Sequence, residues 1–314
     1  MSDGKLGPAG GDDAIDPGTG VLEDPSQAAS VRRKPAEPRD RREFVRFTRL
    51  HRMLHAAMIV SFITLALTGL SLKFSYTVWA ATLSRLLGGF QTAGFIHRTA
   101  ALVMFATFVT HLVDLYRRKK RNHTSWRAFL LGPDTMLPVK QDLYDFGATM
   151  KWFVGAGPRP PYGRWTYWEK FDYFAVFWGI LIIGSTGLTL WFPVFFTRFL
   201  PGSFLNVATI VHSDEALLAT GFIFTVHFFN THLRPEKFPM DTTIFTGHMP
   251  LAELMRDKPR EYAALLASGQ LEENLEEPQP AVVVKTIRAF AWTALGVGFC
   301  IVVWIVYAML FAYR

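Results

Sequence analysis

The chain has 314 residues, half of them hydrophobic, with 33 Lys and Arg against 26 Asp and Glu and a formal net charge of +7. Long uncharged runs at this composition belong to a membrane protein and exclude a core of ordinary soluble type. The basic excess collects beside those runs, so it reads as membrane topology and argues against nucleic acid as a partner. The lone cysteine, Cys300, sits inside an apolar run, which rules out within this chain a disulfide framework, a thiolate-bound iron–sulfur cluster and a Cys-x-x-Cys-His attachment.

Residues 1–40 are rich in Pro, Gly, Asp and Ala and poor in aromatics, a composition that predicts a disordered tail. The first apolar run comes too late for a secretory signal, and neither Arg32-Arg33 nor Arg41-Arg42 has the following apolar stretch of a twin-arginine signal, so the N-terminus is expected in the cytoplasm. A first span is predicted from about Leu54 to Phe74, preceded by Arg42, Arg46, Arg49 and Arg52 and carrying His51 and His55 one turn apart at its start. The second, about Phe95 to Leu115, ends in Arg117-Arg118-Lys119-Lys120-Arg121. Both basic clusters mark cytoplasmic ends, the second also suiting anionic lipid, and they put His97 near the outer face and His111 near the inner.

Residues 122–170 are polar and proline-bearing and read as an inside loop, with one short amphipathic helix around Leu143 to Phe153 whose packing surface is either the membrane or a partner. The third span, about Phe171 to Phe195, carries Gly179, Gly184 and Gly187, which let helices approach closely. A fourth runs from about Val207 to Asn230. Residues 231–286 form a charged cytoplasmic segment with a helical pattern over Leu251 to Leu266, read as a solvated surface helix. The last span, about Ala289 to Ala312, is predicted as a packing or subunit-contact helix that leaves the C-terminus outside. The expected fold is therefore all-α: an integral membrane bundle of four histidine-bearing spans within 41–230, plus a fifth span within 287–314.

The histidines give this bundle its chemistry. His212 and His227 are fifteen positions apart (227 − 212), about 22 Å along an ideal helix and about 60° around it, so they share a face but not a ligand. His97 and His111 repeat the device at fourteen positions (111 − 97), about 21 Å apart. Ionisable groups within spans mark sites by default. Imidazole is an axial ligand of haem iron, and two facing helices with two histidines each could hold two stacked haems, bound noncovalently as b-type.

Over roughly Arg46 to Met249 the sequence resembles the membrane cytochrome b subunits of respiratory formate dehydrogenases and the related hydrogenase and thiosulfate-reductase subunits. The resemblance rests on His55 followed by the run to Thr68-Gly69, Ile96-His97, Glu169-Lys170 ahead of Thr186-Gly187 and Trp191-x-Pro193, Val211-His212 and Val226-His227. It implies one haem between His97 and His212 and another between His55 and His227. The spacing argument instead selects His111 as the inner ligand, as in the cytochrome b of quinol:cytochrome c reductases. Both stay open, as does a third haem drawing on His51, His55 and His111. Where the formate dehydrogenase subunits open the third helix with Asn-Ala-Gly-Gln-Lys, this chain has Thr166-Tyr167-Trp168-Glu169-Lys170, which weakens the inference of a quinone pocket. Glu169, Lys170 and Asp172 are its candidates for proton delivery.

Together these readings predict a b-type di-haem cytochrome of the bacterial inner membrane. It would pass electrons between a periplasmic iron–sulfur or multihaem subunit and the quinone pool, with membrane lipid around it. The alternative is a membrane anchor for a redox complex.

Overall fold

The computed structural model describes residues 41–238 and 240–312, so the tail predicted over 1–40 lies outside the described residues. Five helices are long and apolar enough to cross a membrane: Arg49–Lys73, Phe90–Arg121, Tyr167–Trp191, Phe204–Leu233 and Ala281–Phe311. Even the shortest, at 25 residues, is about 37 Å long at 1.5 Å per residue and exceeds a hydrocarbon core of about 30 Å. The molecule is thus a multi-pass helical membrane bundle.

Most helices begin or end beyond the apolar runs, because charge does not stop a helix whereas caps do. Thr48 accepts from the His51 N–H and starts the first span ahead of Leu54. Thr166 and Glu169 form a reciprocal capping box at the start of the third. That span stops at Trp191, short of the expected Phe195, because Pro193 opens a separate turn over Pro193–Phe196. The third and fourth spans also carry π-helical turns, at Ile180–Gly184, Ile223–His227 and Phe229–Leu233.

The first span packs along the second, the third along the fourth, and the first meets the fourth. Phe108 against Phe177, with ring centroids 5.0 Å apart, closes the ring between the second and third. The fifth span lies outside this ring against the first and fourth. There a Cβ on Gly298 would fall 2.4 Å from Phe224, so glycine is what allows the approach. Trp304 stacks on Trp79 of the short helix Val78–Leu86 at 5.3 Å.

The polar segments correct the expectation of an open loop and a solvated helix. Strands β1 (Glu43–Val45), β2 (His248–Pro250) and β3 (Leu275–Glu276) form an antiparallel sheet of order β2-β1-β3, small but absent from the all-α prediction. Phe44, Met249, Leu254 and Leu271 bury against one another beneath it. Ion pairs join the loop before the third span to the segment after the fourth: Arg164 to Glu261 at 3.0 Å, Arg260 to Asp145 at 3.0 Å and Arg159 to Asp257 at 3.3 Å. Arg46 reaches Glu261 at 2.7 Å with both side chains buried. These pieces make one folded cap at the end of the bundle where the first, third and fifth spans begin and the second and fourth end. Three short apolar segments far apart in sequence could not announce this from periodicity.

Candidate functional site: two pairs of histidines

Near the bundle end away from the cap, the His97 and His212 rings meet with centroids 6.2 Å apart and planes inclined at 73°. Each is held from behind by a neighbouring span. Thr68 gives its own hydroxyl hydrogen to the Thr64 carbonyl at 2.6 Å, so its oxygen is left to accept from Nδ1 of His97 at 2.9 Å. His212 donates through Nδ1 to the Ile183 carbonyl at 2.9 Å, with the Thr186 hydroxyl at 3.4 Å. Ile183 lies inside a π turn, a local widening that recurs at functional sites. With the proton fixed on Nδ1, the lone pair of each ring is left on Nε2.

The glycines of the two Thr-Gly pairs complete the cradle. A Cβ on Gly69 would lie 3.3 Å from Cε1 of His97, and one on Gly187 2.9 Å from Cε1 of His212. The first span thus seats the histidine of the second, and the third that of the fourth, by the same two-residue device.

At the cap end, His55 and His227 line one cleft with Phe62, His232, Phe245 and Leu295. Nδ1 of His227 is 2.9 Å from Oδ2 of Asp172. Nδ1 of His55, Nδ1 of His232 and Oδ1 of Asp172 are buried without a hydrogen-bond partner among the described residues. The fifth span, expected from sequence to be a packing or subunit-contact helix, supplies Ala291, Ala294 and Leu295 to the wall.

The other sequence candidates lie elsewhere. His111 holds its Nε2 2.8 Å from the Tyr173 hydroxyl, and His51 lies between Thr48 at 3.1 Å and Asp114 at 3.4 Å. Neither lines the cleft of His227. The Glu169 carboxylate accepts from the Thr166 N–H at 2.7 Å and pairs with Lys258 at 2.6 Å, while Lys170 is buried on Asp142 at 2.9 Å. Of the three proposed proton carriers only Asp172 touches a histidine of the two pairs. Thr68, Thr186 and Tyr173 were not read as partners of histidines, and His232 was passed over. Two Thr-Gly pairs, each in a span beside a histidine-bearing one, were the available signal for the first two.

Among the described residues no three His, Cys, Asp or Glu side chains gather to hold a bare metal ion. Pairs are what the bundle offers, and a pair is what bis-His haem ligation needs. Two metal–imidazole bonds of about 2 Å in line, plus the depth of each ring, set centroids roughly 6 Å apart, which the 6.2 Å of His97 and His212 matches.

The fold defines the class as a multi-pass helical membrane protein with paired intramembrane histidines. Compared with models of the known protein families the chain matches none, and no curated protein is significantly similar to it.

Proposed function

We propose that this protein is a b-type di-haem cytochrome that carries electrons across the membrane between a periplasmic redox partner and the quinone pool. The observation that carries the reading is the His97–His212 pair, two rings at ligating separation whose Nδ1 atoms are both committed to oxygens behind them. His97 and His212 would hold the outer haem, His55 and His227 the inner. Bound haem supplies one-electron chemistry, and the chain sets ligation, orientation and dielectric. Thr68 and Ile183 fix the tautomer of the outer ligands, and Asp172 that of His227. The apolar walls of the cleft, Phe62, Phe245 and Leu295, keep water from the inner pair. The basic residues around Arg117–Arg121 favour a cytoplasmic cap and an N-in topology in a bacterial inner membrane. Asp172 and the orphaned His232 are the polar groups available to a quinone on that side.

The test is haem quantification by pyridine haemochrome with low-temperature electron resonance. Wild type should carry two low-spin haems. His97→Ala and His212→Ala should lose the same one, His55→Ala and His227→Ala the other, and His111→Ala should keep both. Colourless purified protein would overturn the reading, and loss of a haem in His111→Ala with retention in His55→Ala would reassign the inner ligand.

A further inference from the structure

The helix Lys140–Phe153 is folded inside out. Its polar side chains turn into the protein: Asp142 to Lys170 at 2.9 Å, Asp145 to Arg260 at 3.0 Å and Thr149 to the Tyr162 hydroxyl at 2.7 Å, with all three buried. The apolar side chains turn out. Leu143 is 75% exposed, Phe153 67% and the capping Val154 78%, with Tyr144, Phe146 and Met150 also on the surface. At 100° per residue Leu143, Gly147, Met150 and Val154 fall within about 60° of arc, opposite the three buried polar positions. A helix of a water-soluble cap would have the reverse arrangement.

Its place in the molecule says what covers this face. The helix belongs to the connection between the second span, which ends at Arg121, and the third, which begins at Tyr167. Phe146 packs edge-on against Tyr167 at 5.3 Å, and Asp142 holds Lys170, so the helix abuts the first turn of a membrane span. That level is the boundary of the bilayer. The charge exposed on the helix itself is basic, Lys140 and Lys151, whereas both of its acids point inward; Asp134 is an exposed acid just ahead of it. Beside it in sequence, Arg127 is exposed on the short helix Trp126–Leu131, and Lys119 sits 4.7 Å over the ring of Trp126. Aromatic rings with lysine stems are what the interfacial region accepts.

We infer that Lys140–Phe153 lies in the headgroup region of an anionic leaflet, its Leu143–Met150–Val154 face dipping toward the acyl chains. The buried Asp142–Lys170 pair and the half-exposed Asp145–Arg260 pair then tie a membrane-surface helix to the third span and the cap. This inference rests on the membrane class of the fold and not on haem.

The experiment is nitroxide accessibility in nanodiscs of the full chain. Leu143→Cys is labelled in a Cys300→Ser background, with Val109→Cys on the second span as lipid reference and Ser268→Cys on the cap as water reference. The expected result is collision with oxygen well above collision with a water-soluble nickel chelate at Leu143, as at Val109, and a deeper position in phosphatidylglycerol than in phosphatidylcholine. Nickel accessibility equal to that of Ser268 would overturn it. Protection from both reagents would also overturn it, since a protein would then cover this face. The Leu143 site is exposed, so the labelled variant retains the packing of the helix.

Discussion

His227 sets its Nδ1 2.9 Å from a carboxylate oxygen of Asp172, whereas the outer imidazoles set theirs against neutral oxygens, His97 on the Thr68 hydroxyl and His212 on the Ile183 carbonyl. A charged acceptor makes the ring opposite it more basic and favours the more positive metal. The inner site is therefore the more electron-rich of the two.

In the proposed di-haem cytochrome, Asp172→Asn should raise the midpoint potential of the inner haem alone. A tenfold change in relative stability of the two oxidation states is about 59 mV, and loss of one charged contact to a ligand belongs at roughly that size. Spectroelectrochemical titration of wild type and variant is the check, with Asp172→Glu expected to restore most of the difference. A shift in the outer component, or none in either, would show that Asp172 does not act through His227.

The two Thr-Gly cradles differ in clearance, and the difference is measurable. A methyl at Gly187 would sit 2.9 Å from Cε1 of His212, closer than real contacts allow, whereas one at Gly69 would sit 3.3 Å from Cε1 of His97, which a small shift relieves. If the pair holds haem as proposed, Gly187→Ala should thus lose outer haem or strain its low-spin signal, while Gly69→Ala keeps nearly full occupancy. Equal retention in both would mean that His212 has room to retreat.

The five spans were legible in the sequence because uncharged runs of this length have few other uses, whereas the pairing of His97 with His212 came from the family resemblance. Ideal-helix arithmetic does not carry unchanged through the fourth span. Counting fifteen positions from His212 to His227 assumes α turns throughout, but Ile223–His227 is a π turn, which takes in an extra residue and rotates everything after it. His111 lies on the uninterrupted helix Phe90–Arg121, where its Nε2 meets the Tyr173 hydroxyl at 2.8 Å, a contact that a spacing count does not report. The cap was illegible for another reason. Its core sets Phe44 against Met249, Leu254 and Leu271, which lie about 200 positions further along the chain, and its ion pairs look in sequence like any solvated charge run.

Those ion pairs give the cap an acid limit. Asp257 is buried, and burial alone would raise its carboxyl. The Arg256 guanidinium, bonded to both its oxygens at 2.8 and 3.0 Å, together with Lys237 at 3.3 Å and Arg159 at 3.3 Å, outweighs that and holds it at about 2. A carboxyl whose folded value lies below the unfolded value of about 3.9 contributes stability that is complete above that value and disappears as pH falls through the folded one. Glu253, raised by burial, works in the opposite sense, since its protonated form is the one the fold prefers. The contribution of Asp257 is therefore isolated by difference. Asp257→Asn should lower the unfolding temperature at neutral pH, because Arg159 and Arg256 lose a carboxylate partner, an effect softened by the exposure of Arg256 and by the Asp241 and Glu253 carboxylates that Lys237 keeps. The gap between wild type and variant should stay constant from pH 7 to about 5, then close between pH 4 and 2. Thermal unfolding followed by tryptophan fluorescence in detergent reports it, since Trp152 lies 5.7 Å from Arg159 and Trp168 packs on Tyr162 within the cap. A gap that persists unchanged at pH 2.5 would mean that Asp257 is held by packing and not by its charge.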